Sequence, residues 1–227
     1  MEETKLDNPV WNSLNEVHKK LSVEYEGIKF YNPDYCPFGG FIESKKAADG
    51  ITKYAGLIDD FYVVGKRPMF SIEIGVNKNL VCNQMLLEKA IDIPTDEQIQ
   101  IVELKSGYQK RDLYNLVNLV QPGYFKSKTS DLGKYFGIYS DTKLIAVTGE
   151  RMKMNGFTEI SAVVTHPQHT GKGYAKQLIK HTTNQVLNEN KIPYLHVAES
   201  NIGAIKLYEK LGFITRRKIS FWNLKTI

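Results

Sequence analysis

The run Glu159-Ile-Ser-Ala-Val-Val-Thr-His-Pro-Gln-His-Thr-Gly-Lys-Gly-Tyr-Ala175 carries the clearest chemistry in the chain. A β-rich stretch passes through a proline-marked turn into a glycine-rich helix start. Helix N-termini present unpaired N–H groups and the positive end of the peptide dipoles, and so collect phosphate oxygens. Gly171 and Gly173 have no side chain to keep a diphosphate off the amides, and Lys172 adds a cation beside them. An ordinary strand-to-helix turn would use the same residues. A Walker loop requires Gly-x-x-x-x-Gly-Lys-Ser/Thr, which is absent, and a dinucleotide fingerprint fails where Lys176 stands in place of its third glycine.

A second segment, Asn201-Ile-Gly-Ala-Ile-Lys-Leu-Tyr-Glu-Lys-Leu-Gly-Phe213, places Ala204, Tyr208 and Leu211 on one face of a short helix. Asn201 is a natural N-cap, and Gly212 stands where a left-handed helix end belongs. A tyrosine with a pKa of about 10 keeps its proton at neutral pH and can act as a proton donor. Packed in a core, the same tyrosine would do nothing but fill space.

These two segments, about thirty residues apart, resemble the GNAT superfamily of acetyl-CoA-dependent N-acyltransferases. Gly149-Glu-Arg-Met152, Glu159–Val163, Thr165-His-Pro167 and Leu195-His-Val197 look most like its glycine-N-acyltransferase-like branch. The resemblance covers residues 98–227, and residues 1–97 are similar only to the ill-defined front half of that branch. It implies a phosphate loop on Thr170, Gly171, Lys172, Gly173, Tyr174 and Ala175, with Thr170 departing from the usual Gln or Arg. It implies that main-chain groups of Val163, Val164 and Thr165 pair with the pantetheine arm of acetyl-CoA, the acyl-donor cosubstrate. It also implies Asn201 at the arm or the helix start, a backbone N–H of residues 163–164 facing the acyl oxygen, and Tyr208 as the acid. No metal is implied. The reaction expected is transfer of an acetyl or short acyl group to a primary amine by direct attack in a ternary complex. A non-catalytic acyl-CoA sensor is the rival reading.

The base is open. An ordinary carboxylate at a pKa of about 4.3 is a weak base unless burial raises it. Glu159, at the head of the strand carrying the thioester, is the first choice, with Glu150, His166 and His196 as further candidates. His166 before Pro167 also suits a turn-shaping role.

Positioning these groups requires an α+β fold: a mixed, mostly antiparallel twisted sheet flanked by helices, with a smaller α/β N-terminal region readable as a degenerate half-copy. The Asn8-Pro9 start followed by Val10, Leu14, Val17 and Leu21 predicts a first helix. Residues 27–50 read as an aromatic-rich loop that would wall an acceptor pocket or cover the core, and 57–64 and 69–76 as two strands. Val81–Ala90 reads as a short helix, and a domain boundary falls at Asp92–Glu97, giving 1–97 and 98–227. Beyond it come a strand over 98–104, a helix over 111–120 and a hairpin of 135–139 with 144–150. A strand over 159–165, a helix over 173–188, a strand over 194–198, a helix over 202–211 and a strand over 214–224 follow.

Composition adds bounds. The 227 residues are 42% hydrophobic and 24% charged, ordinary globular values. Thirty Lys and Arg against 25 Asp and Glu leave +5, which favours an anionic ligand and weakly disfavours strongly cationic acceptors. It is too small to indicate nucleic acid. Cys36 and Cys82 suit reduced thiols, and the five histidines show no His-x-x-x-His pair for a metal. Met1–Asp7 lacks the order of a secretory leader and no apolar run approaches the roughly 18 residues of a membrane span. The expectation is a cytoplasmic monomer or homodimer acting on a small-molecule amine or amino acid, with no nucleic-acid or membrane partner.

Overall fold

The computed structural model describes residues 3–227; Met1 and Glu2, part of the stretch read for a leader, lie outside the described residues. Its framework is one eleven-stranded sheet in the order β1-β2-β3-β4-β11-β5-β10-β9-β8-β7-β6. The strands are β1 (Ser22–Tyr25), β2 (Ile28–Tyr31), β3 (Phe38–Phe41), β4 (Asp60–Val64), β5 (Ile74–Leu87) and β6 (Val102–Glu103). They continue with β7 (Tyr135–Ser140), β8 (Lys143–Met154), β9 (Phe157–Thr165), β10 (Ile192–Ala198) and β11 (Phe213–Thr226). Five helices flank it: α1 (Pro9–Asn15), α2 (Ser44–Ala55), α3 (Gly107–Val120), α4 (Tyr174–Asn188) and α5 (Ile202–Glu209). Only β3–β4 and β9–β10 run parallel, so the expected mixed, mostly antiparallel sheet is what forms.

The side-chain period of two along β7 and β8 sorts the helices onto faces. Tyr135 and Val147 meet Leu113, Leu116 and Val117 of α3, whereas the neighbouring Phe136 and Ala146 meet Leu178 of α4. Helices α3 and α4 therefore cover opposite faces. Helix α1 begins at Pro9 as the sequence predicts, and its Val10 and Leu14 pack with Tyr31, Met152 and Tyr194. Serine 106 and Gln109 close α3 with a reciprocal capping box.

Several predicted elements are corrected. Residues 81–87 are not helical but form the end of β5, because Val81–Leu87 pairs with β11 on one side and Cys82–Leu86 with β10 on the other. Two-sided ladder pairing, a non-local effect, overrides the local helix preference of Met-Leu-Leu-Glu. The aromatic segment 27–50 is not a loop: it holds β2, β3 and the start of α2. The glycine pair in Phe38-Gly-Gly-Phe41 disguises a strand, and Gly39 lies flat against the Phe30 ring, where a Cβ would collide. The strand expected over 98–104 shrinks to Val102–Glu103. Asp92–Glu97 is irregular as expected, but it does not divide the sheet, since β5 from the front region lies between β10 and β11 from the back.

Candidate active site

Strands β9 and β10 pair only through Ile192–Phe157, Pro193–Thr158 and Tyr194–Glu159. Beyond that point β9 stays with β8 and β10 stays with β5, so the two parallel strands part. A cavity of about 440 Å³ opens in the fork, between Ile160–Val163 of β9 and His196–Ala198 of β10. Against β8, β9 carries one extra residue between Ser161 and Val164, and Ala162 takes a left-handed φ of 50° there. This bulge takes Ala162 and Val163 out of the regular ladder where both line the cavity.

One wall is made of helix starts. Gly171 and Gly173 have φ of 77° and 78°, values that L side chains rarely adopt, and a Cβ at either would meet nothing. The space over this loop is therefore open. Helix α4 begins at Tyr174 with no side-chain cap and no acidic residue in its first turn, leaving the amides free for an external anion. Ala175 reaches the cavity lining from this turn. Of the other residues assigned to the phosphate loop, Thr170 and Lys172 are exposed, and Thr170 Oγ1 donates to the Pro167 carbonyl at 3.2 Å.

Tyr208 lines the same cavity at 7% exposure, against Phe213. Burial raises its pKa. Asn201 caps α5 by accepting the Ala204 N–H at 3.2 Å and also lines the cavity, so both roles weighed for it are compatible.

Glu159 was expected as the base, and its surroundings argue against that role. It is 1% exposed, and it accepts from Arg151 Nε at 2.8 Å, Arg151 Nη2 at 2.9 Å and His196 Nδ1 at 2.8 Å. Burial alone would raise its pKa, but Arg151 and His196 outweigh burial and bring it down to about 2. A carboxylate so well satisfied is a poor proton acceptor. On the other edge of the imidazole, Gln84 Nε2 lies 3.1 Å from His196 Nε2. Gln84 also donates to the Leu6 carbonyl, and its oxygen accepts from Arg216 Nη1 at 3.1 Å, which fixes the amide orientation. The Gln84 amide thereby donates to His196 Nε2, which leaves Nδ1 as the nitrogen that donates to Glu159.

The remaining base candidates are displaced. Glu150 is fully buried away from the cavity, with Lys153 Nζ at 2.6 Å and the Lys134 N–H at 3.2 Å. His166 is half-buried outside the cavity lining and accepts the Gln168 N–H at 3.3 Å, which suits the turn-shaping role foreseen for it. The Val164 side chain packs into the core with Val147 and Leu113, and Thr165 ends β9 outside the cavity lining. The sequence reading missed Arg151, Cys82 and Gln84, and the aromatic wall of Phe38, Tyr124 and Phe221. Alternation along β8 could have placed Arg151 on the face opposite Glu150; nothing local marks the others. Cys82 faces the cavity, but burial pushes its thiol up to about 12, which leaves little thiolate for covalent chemistry. Among the described residues, no group of three or more metal-type ligands exists, and no helix is long and apolar enough to cross a membrane.

A forked parallel strand pair, a bulge at the fork, a bare helix start and a buried tyrosine make a site of the GNAT type. Comparison with known proteins agrees: residues 135–222 match the profile of the FR47-like proteins. A crystal structure of a GNAT-family acetyltransferase from Novosphingobium aromaticivorans is 30% identical, covers 98% of both chains and superposes with a TM-score of 0.85. A GCN5-related N-acetyltransferase from Kribbella flavida shares the fold at a TM-score of 0.64 over 96% of this chain and 93% of that one, with 12% identity. Spermidine N(1)-acetyltransferase of Vibrio cholerae is 44% identical over 55 residues, 23% of this chain. YobR, an uncharacterised N-acetyltransferase of Bacillus subtilis, is 31% identical over 80 residues, 35% of this chain. The matched stretches span 31% and 32% of these two relatives. The chain belongs to the GNAT family of acetyltransferases.

Proposed function

We propose that this protein transfers an acetyl or other short acyl group from acyl-CoA to a primary amine, by direct attack. The observation that carries this reading is the fork itself: a bulged strand, an uncapped helix start and a protonated phenol converge on one cavity. The cosubstrate fits the open, left-handed Gly171–Gly173 loop, which leaves room for a diphosphate over bare amides. Acetyl-CoA would supply the activated acyl thioester. The amides of residues 171–175, with Lys172, would hold the diphosphate; Thr170 in place of Gln or Arg removes one side-chain donor. Main-chain groups of Val163, Val164 and Thr165, together with Asn201, would align the pantetheine arm. A backbone N–H at the bulge, in the 163–164 region, would face the acyl oxygen and favour the charge that develops there.

Tyr208 would give its proton to the leaving sulfur, its phenol kept protonated by burial. Glu159 and Arg151 would act together as a positioning pair that orients His196 through Nδ1. No side chain stands as an obvious base, so the amine would enter unprotonated or lose its proton to water. Residues 1–97 would serve as the acceptor-side wall through Phe38, Leu80 and Cys82, instead of as an independent unit. The motifs at Gly149–Met152 and Thr165–Pro167 support a place near the glycine-N-acyltransferase-like branch.

The test is thiol release from acetyl-CoA with a panel of amines. Tyr208→Phe is expected to lower kcat by about 10²-fold or more while melting at the wild-type temperature. Equal thiol release by the two proteins would remove Tyr208 from the mechanism. Melting raised by CoA with no turnover on any amine would favour the acyl-CoA sensor.

A further inference from the structure

The acceptor half of the cavity states what kind of amine it can hold. Its walls are aromatic: Phe38, Tyr124, Phe125 and Phe221 surround it, with Leu80 beside them. Arg151 is the one lining residue with a fixed charge, and its guanidinium lies over the Phe38 ring at 4.7 Å. Among the described residues, no carboxylate lines the cavity. Two carboxylates next to lining residues are already engaged: Glu159 with Arg151 and His196, and Glu199 with Lys218 at 2.7 Å. Toward solvent, the Lys78 ammonium sits 5.8 Å from the Tyr124 ring centre. Aromatic faces can receive one ammonium, but a second would have to shed its hydration with no carboxylate to meet it and with Arg151 already in the wall. The volume of about 440 Å³ must also admit the acyl end of the donor, which leaves room for a small acceptor only.

Resting on the acetyl-transfer reading above, we infer that the acceptor is a small primary amine on an aromatic or apolar body with no second cationic group. Polyamines are outside this class. The distinction separates the chain from a relative named for spermidine, although the two share 44% identity over 55 residues. Nothing in the helix-start wall discriminates between acceptors; the selection lies in Phe38, Tyr124, Phe221 and Arg151.

The experiment compares 2-phenylethylamine with spermidine in two readouts. The first is kcat/KM for thiol release from acetyl-CoA, expected to favour phenylethylamine roughly 10-fold or more. The second is calorimetric binding of each amine to protein saturated with free CoA, where the same preference is expected without turnover. Tyr124→Glu, which places a carboxylate on the aromatic wall, should narrow the kcat/KM ratio by about 10-fold if it melts like wild type. Should that variant not fold, the wild-type calorimetry decides. Spermidine bound or acetylated as well as phenylethylamine overturns the inference. If no amine yields thiol, acetyl transfer itself fails, while the binding preference still judges the acceptor class independently.

Discussion

The two walls of the fork are built by opposite strategies. The proposed donor wall is backbone: residues 171–175 are contiguous, largely exposed, and present amides whose direction follows from two left-handed glycines and one helix start. The proposed acceptor wall is side chain: Phe38, Leu80, Tyr124, Arg151, His196 and Phe221 arrive from separate parts of the chain and are held by full or partial burial and ion pairing. A wall of backbone amides should tolerate side-chain change, such as Thr170 in place of a Gln or Arg. A wall of interlocked side chains should not. Substitutions on the acceptor wall should therefore cost stability first, and those on the donor wall should cost cosubstrate affinity with little loss of stability.

The sharpest break of that contrast is Arg151→Met. It leaves the Glu159 carboxylate buried with His196 as its remaining partner, and removing one member of a buried pair costs about 3–5 kcal/mol. Urea denaturation should show this as a lowered midpoint with unchanged slope. Acid sharpens the test. With its pKa depressed to about 2 from an ordinary 4.5, Glu159 contributes stability that is fully present above 4.5 and is lost as pH falls toward 2. Wild type should therefore weaken across that window. In Arg151→Met the depression is largely gone, so the curve should be flatter there. A variant as stable as wild type, with the same acid dependence, would show that the pair does not hold this wall together.

The same contrast explains what the sequence disclosed. Contiguous backbone features leave local marks: glycines at 171 and 173, Pro167 before the helix, Asn201 as cap, Gly212 with its φ of 93° at the helix end. These, the helices read over 173–188 and 202–211, and the hairpin of 135–139 with 144–150 were legible, with ends within a few residues of those formed. The acceptor wall was not, because its partners meet only through sheet order. Gln84 faces His196 because β5 pairs with β10, and a segment read as a helix gives no hint of that pairing. Glu159 was located correctly on its strand, yet its role could not be read without Arg151, a residue eight positions away that fixes its charge.

Gly173→Ala is the intermediate case. No atom obstructs the new methyl, so the cost is confined to holding a φ of 78° with a side chain, about 1 kcal/mol. If the loop opens to relieve that strain, KM for acetyl-CoA should rise several-fold while KM for the amine stays put. A rise in both constants would mean that the two walls are mechanically coupled and that the donor loop also shapes the acceptor side.

The smallest expected effect belongs to Lys172→Ala. Its side chain is exposed, so any attraction it exerts on a diphosphate acts through water and is screened by salt. Removing it should raise KM for acetyl-CoA by about 2–3-fold at low ionic strength, and the difference should fade as salt rises toward about 0.5 M. The uncapped amides of α4 remain in the variant, so kcat should not change. A loss of an order of magnitude that persists in high salt would mean that the lysine makes a desolvated contact. The donor wall would then depend on a side chain after all, and its difference from the acceptor wall would be one of degree.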